Sequence, residues 1–509
     1  MADIVLNGET LPITDIAAVA RGGATVRLSD QAARRVERAH GVVRGILAAG
    51  TQVYGVNTGF GHLKDIRIPP DRLDELQVNL IRSHCAGVGP ELPPPATRVM
   101  MLLRAHLLAR GHSGVRREVI DTLLAHLNAD LLPVVPEQGS VGASGDLAPL
   151  AHLALVLLGE GQALYEGRRM PAADALNRAG LRPLRLQAKD GIALINGTQM
   201  MTAVGVLTLI EASTLLTAAD VTGACTLEAL RGSHHPFEER LHLLRPHPGQ
   251  LTSAANLRAI LADSDVERSH ATCGRVQDAY SLRCMPQVHG ASRDGIDFTR
   301  RVLTVEIDAV TDNPIVFPED GALLSGGNFH GQYPSMALDL LAIAAAGLAT
   351  ISERRIERMM NPALSGLPPF LTRDPGAHSG LMMAQVTAAA LVSENKVLCH
   401  PASVDTIPTE AGQEDHVSMG PIAARKARSV VTHVRRVIAI ELLSACQALD
   451  LAPAIRPGRG VVAARETVRR SVPFMEADRV LAHDIAAVEA LLLDDTLLGA
   501  VRACCGDLL

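Results

Sequence analysis

Apolar positions recur along most of this chain with the period of a helix. Ser29 stands ahead of "DQAARRVERAHGVVRGILAAG" as an N-cap. Pro93 to Pro95 precede "ATRVMMLLRAHLLARG", which stops at Gly111, and "GVRREVIDTLLAHLNADLLP" is an amphipathic helix closed by Pro133. Longer helices are predicted around 333–360, 379–398, 420–450 and 476–494. Alternating patterns are few. "DIVL" and "ETLPI" read as an N-terminal β-hairpin turning at Asn7-Gly8, "RVLTVEIDAV" (301–310) reads as a strand, and short strands fall near 160–172. The fold class is therefore mainly α, a long-helix bundle with a small N-terminal β-hairpin. Residues 1–200 form one region and 201–509 a long-helix region of the same catalytic unit, with no repeat or linker between them.

Composition narrows the function classes. Hydrophobic residues are 47% and charged residues 20% of 509, which suits a globular chain with a large core. A net charge of -6, no Trp and four Tyr argue against nucleic acid as the partner. Apolar runs such as "LLAIAAAGLA" fall short of a membrane span, and the N-terminus reads as no targeting peptide. The eight cysteines, Cys273 among them, show no CxxC spacing, so no metal site is predicted and a reducing cytoplasm is the expected location.

The stretch with chemical interest is "GSVGASGDLAP", 139–149. Asp146 is placed to cap a helix over "LAPLAHLALVLLGEG", so Ser144 lies just before a helix N-terminus, where negative charge is favoured. The G-x-S-x-G elbow fails because the second Gly falls one place early, and no G-K-[ST] follows for a phosphate loop. Two readings stay open on these residues alone. The commoner is a capped turn. The other is cyclisation, in which the Gly145 nitrogen closes a five-membered ring on the Ala143 carbonyl and loss of two waters leaves a methylidene on Ser144. Gly suits that attack because no side chain blocks it. A second helix start near Asn196 to Thr198 adds dipoles that can stabilise negative charge on such a ring.

The stretch resembles the signature of the ammonia-lyases and aminomutases that form 4-methylidene-imidazole-5-one. The resemblance extends in order through "YGVNTGFG" (54–61), "NLIRSHCAGVG" (79–89), "LINGTQ" (194–199), "VQDAYSLRCMPQV" (276–288), "EIDAVTDNP" (306–314), "GGNFHGQ" (326–332), "SERRIERMMNPALSGLPPFL" (352–371), and "SENKVLCHPASVDTIPT" with "QEDHVSM" (393–419). Within the family it is closest to the branch that deaminates L-histidine, on Ser83-His84 and on Gln413-Glu414-Asp415-His416. A phenyl ring would leave the Glu414 carboxylate desolvated and unpaired.

The resemblance implies a prosthetic group formed from Ala143, Ser144 and Gly145, with no external cofactor. It implies Tyr54 and Tyr280 near that group, one of them removing the β-proton. Asn196, Gln277 and Phe329 are implied to line it, with Asn196 also on the substrate. Arg283 is implied to hold the substrate carboxylate and His84 with Glu414 its ring. It further implies a homotetramer with shared active sites. Glu410, Gly412 and Ala279 depart from the usual pattern, which bears on the shape of the ring pocket.

Overall fold

The computed structural model describes residues 2–269 and 276–509. Cys273 lies outside them, and the other seven cysteines are free thiols. The described chain is mainly α, as the periodicity predicts. It divides into two compact units. The first is Met1–Leu207 with Arg300–Asp339 and Pro401–Arg425, and the second is Thr208–Thr299, Leu340–His400 and Lys426–Leu509. The first unit thus draws in two segments from later in the chain. Helices Gln199–Ala229, Met285–Ile307, Gln332–Met360 and Gly420–Leu451 have residues in both.

In the first unit, Pro94–Ala109 is a core helix, buried from Val99 to Ala109. Three shorter helices pack on one another: Leu73–His84, Leu147–Leu157 and Asp190–Ile195. Leu73, Gln77, Leu80 and Ile81 form the buried stripe of the first. The second is apolar nearly all round and buried accordingly. Each helix has a candidate residue at its end. His84 closes the first, Ser144 precedes the second, and Asn196 is the C-cap of the third. In the second unit, buried ion pairs join the long helices, among them Arg355 with Glu441 and Asp220 with His289 and Arg293.

Three expectations are corrected. The N-terminal hairpin does not form. Ala2–Leu6 pairs in parallel with Ala24–Leu28, and helix Ile13–Ala20 makes the crossover. The Asn7 side chain accepts from the Glu9 N–H, which bends the chain locally, and Pro12 has no N–H to give a returning strand. Residues 301–307 are helical, the end of Met285–Ile307. Ile296, Leu303 and Ile307 are buried on a helical period, whereas Val305, which alternation would bury, is 71% exposed. Finally, Gln199–Ala229 and Gln332–Met360 are long and apolar enough to cross a membrane by length and composition. Their most apolar windows are 72% and 61% buried within the protein itself.

The first unit also holds a fully buried ion pair, Lys189 Nζ to Asp312 Oδ2 at 3.1 Å. Removing one partner of such a pair leaves a charge without compensation. Lys189→Met is expected to destabilise the protein by about 3–5 kcal/mol, read as a lowered denaturation midpoint. The double variant Lys189→Met/Asp312→Leu should recover much of that loss. A single variant as stable as wild type would contradict the pair's role.

Candidate active site

The first unit encloses a cavity of about 450 Å³. Tyr54, His84, Ala143, Ser144, Asn196, Phe329 and Glu414 all line it, drawn from segments far apart in sequence. The loop carrying Ser144 is shaped by a close approach of two backbones. Gly145 has φ +73° and faces Gly197, and a Cβ on Gly145 would lie 2.1 Å from the Gly197 oxygen. The Asp146 N–H donates to that oxygen at 2.7 Å, and the Gly197 N–H donates to the Ser144 carbonyl at 3.3 Å. Only glycine satisfies both the dihedral and the space. Ala143 is buried in a small apolar cluster with Val417 and Met419.

Asp146 occupies the N-cap position of Leu147–Leu157, but its side chain does not cap that helix. Its Oδ2 accepts from the Met200 and Met201 N–H groups at 2.8 and 3.0 Å, capping Gln199–Ala229 instead. The carboxyl thereby ties the serine loop to the start of the next long helix. Burial pushes its pKa up to about 7, although the two amides and Arg104 pull the other way. Arg104, itself fully buried, donates to the Ala193 and Asn196 carbonyls at 3.1 and 3.0 Å and to the Gln199 side chain.

On the cavity wall, Ser144 Oγ donates to Glu414 Oε1 at 3.0 Å, and Thr409 Oγ1 donates to Glu414 Oε2 at 2.6 Å. His84 Nδ1 donates to the Leu80 carbonyl at 2.8 Å. That bond fixes the tautomer, and burial lowers the ring's pKa, so a neutral His84 keeps its Nε2 lone pair for a ligand. Asn196 Nδ2 donates to the Asn313 carbonyl at 3.1 Å, while its buried Oδ1 has no partner among the described residues. Tyr54 accepts a long hydrogen bond from the Gly61 N–H at 3.4 Å, and Phe60 meets its ring edge-on. Burial, then the Glu410 and Glu414 charges, raise the Tyr54 pKa against that bond. The lowering that a tyrosine base requires is therefore not supplied by these neighbours.

Gln277, Tyr280 and Arg283 belong to the second unit and do not line this cavity. Gln277 is exposed and Tyr280 is 71% exposed. The Arg283 guanidinium sits 4.7 Å from the Tyr280 ring centroid, and its buried Nε has no partner among the described residues. Two site residues escaped the sequence reading. Thr409 holds Glu414, and the Asn313 carbonyl orients Asn196. Both lie inside family-like stretches, "IPT" and "TDNP", but nothing in their spacing reveals what they hold.

Residues 11–470 match the family described as aromatic amino acid lyase. The chain belongs to that family. Two curated members similar to it are the histidine ammonia-lyases of Myxococcus xanthus and Stigmatella aurantiaca. They are 55% and 56% identical over 500 and 497 residues, which cover 98% of this chain and 98% of each relative. Among solved structures, this lyase-family chain resembles histidine ammonia-lyase from Trypanosoma cruzi, with TM-score 0.92 and 46% identity over 98% of this chain and 95% of that one. It also resembles the tyrosine aminomutase of Streptomyces globisporus, with TM-score 0.94 and 38% identity over 100% of both.

The raised Asp146 pKa has a consequence for stability. Between the ordinary aspartate range, near ~4, and about 7, the folded protein holds a proton that the unfolded chain releases. Stability is therefore lost as pH rises through that window. Asp146→Asn cannot titrate, so its stability relative to wild type should rise between pH 4 and 7, by at most about 4 kcal/mol. Denaturant midpoints at a series of pH values check this. A flat or falling difference would contradict it.

Proposed function

We propose that the protein is a histidine ammonia-lyase, converting L-histidine to trans-urocanate and ammonia without an external cofactor. The observation that carries the reading is that Ser144, Glu414 and His84 line one cavity, with Ser144 hydrogen-bonded to Glu414. The residues present fit a 4-methylidene-imidazole-5-one made from Ala143, Ser144 and Gly145. Gly145 is pressed against Gly197 where no side chain is tolerated, Ala143 is buried, and Asn196 Oδ1 is a buried acceptor without a partner among the described residues. Such a group supplies an electrophile, which the twenty side chains lack.

The chain's own residues do the rest. Glu414 accepts a hydrogen bond from one ring nitrogen of histidine or offsets ring charge. Neutral His84 accepts at Nε2 from an N–H. Arg283 pairs with the substrate carboxylate through its planar fork. The β-proton is taken by Tyr54 or Tyr280, and Tyr54 can serve only when a cation or dipole offsets its burial. Gln277, Tyr280 and Arg283 reach the site from other copies of the chain in a cytoplasmic homotetramer. Exposed apolar side chains on long helices, such as Tyr333, Met336, Met383 and Val386, support that assembly.

The test is turnover of L-histidine, followed by urocanate absorbance and free ammonia, beside L-tyrosine and L-phenylalanine. Histidine is the expected substrate. Glu414→Gln and His84→Leu should each lower kcat/KM for histidine by about ten- to a hundredfold, the cost of a buried partner left unpaired. The effect on the other two amino acids should be smaller. No urocanate, a preference for tyrosine, or a β-amino acid product would overturn the assignment.

A further inference from the structure

The turn that supplies Glu414 brings a second carboxylate to the same cavity, that of Glu410. The turn is closed by the Thr409 N–H donating to the Glu414 carbonyl at 2.9 Å and the Gly412 N–H donating to the Thr409 carbonyl at 3.0 Å. Its backbone is unusual. Glu410, Ala411 and Gly412 have φ of 53°, 54° and 84°, so two residues with side chains occupy the left-handed region in succession. That conformation is costly for both, and such strain collects at functional sites. It turns the Glu410 carboxylate onto Gly61, so closely that a Cβ there would fall 1.8 Å from Glu410 Oε1. Gly61 is the residue whose N–H meets the Tyr54 hydroxyl.

The two carboxylates are not equivalent. Before cyclisation both Glu414 oxygens accept hydrogen bonds, from Ser144 and Thr409, and once the Ser144 hydroxyl has left as water Glu414 keeps the one from Thr409. Glu410 is exposed at the cavity rim, and among the described residues no hydrogen bond or ion pair engages its carboxylate. His62 and Lys64 attract it weakly, but the Lys64 ammonium is given to Gln413. Its ionisation is opposed first by partial burial and then by repulsion from Glu414. A cation entering the cavity would relieve that repulsion, whereas a neutral ring would not.

We infer that Glu410 is a specificity-determining residue whose free carboxylate makes the cavity prefer a ring that carries positive charge over a neutral one. The inference rests on the reading that the cavity takes a histidine-like ring. Its test does not use turnover, so the two can fail separately. Binding of 1,3-dimethylimidazolium, a permanent cation, is compared by titration calorimetry with that of imidazole at a pH where imidazole is neutral. The full-length protein is used as wild type, Glu410→Gln and Glu410→Ser. Either substitution should weaken the cation by about fivefold, the size of one solvent-screened charge pair, and change imidazole by less than about twofold. In wild type, added salt should weaken the cation more than imidazole, an arm that needs no variant to fold. Equal losses for both ligands, an unchanged cation affinity, equal salt dependence, or no cation binding would each overturn the inference. A protein that makes no urocanate but shows the charge preference would refute the proposed reaction and leave the role of Glu410 standing.

Discussion

The Gly197 backbone lies so close to Gly145 that it leaves no room there for a side chain, and Gly197 is itself hemmed in by other neighbours. A Cβ on Gly145 would meet the Gly197 oxygen at 2.1 Å, and one on Gly197 would meet the Gln199 and Arg104 side chains and the Thr311 oxygen within 2.8 Å. This approach presses the 143–145 segment against the start of a long helix. Hydrogen bonds on either side, from Asp146 to Gly197 and from Gly197 to Ser144, hold it there. Ser144 is thereby turned into the cavity toward Glu414. A loop free to relax would lose both the turn geometry and that contact.

The surrounding polar network converts this local approach into a rigid site. Asp146 caps the helix that begins after Gly197, and Arg104 gathers the carbonyls that end the helix before it. Lys189 and Asp312 pair beside Asn313, whose carbonyl takes the Asn196 amide. Each of these groups is buried, so leaving any of them unpaired would be expensive. The chain spends its buried polar groups where three helix ends converge. There the peptide dipoles and amides form a ready setting for negative charge.

Much of this was legible in the residues. Helical periodicity gave Asp30–Ala49, Pro94–Ala109, Gln332–Met360, Met382–Leu398 and Gly420–Leu451 to within a few residues, since a buried stripe such as Ala32, Val36, Ala39 and Val43 leaves a clear signal. Residues with chemistry stood out by type and setting: a serine among glycines, a histidine beside a serine, a glutamate in "QEDH". What failed was non-local. The partner of Ala2–Leu6 is a strand beyond a helix, which adjacent sequence cannot reveal. The alternation in "RVLTVEI" was overruled by burial on one helix face. Asp146 looked like the cap of its own helix, yet its carboxylate serves another. Glu410 was visible only as a departure from the usual pattern. The strained turn that aims it into the cavity exists only in three dimensions.

The central claim is that the Gly145 approach serves backbone chemistry at Ser144 and not merely a tight turn. The most direct measurement is the intact mass of the purified protein, with peptide mapping across 139–149. Wild type should lack the mass of two waters, and the loss should map to the peptide holding Ala143, Ser144 and Gly145. Ser144→Ala, which has no hydroxyl to lose, should not show the full two-water deficit. A wild-type mass equal to that of the unmodified sequence would contradict the account.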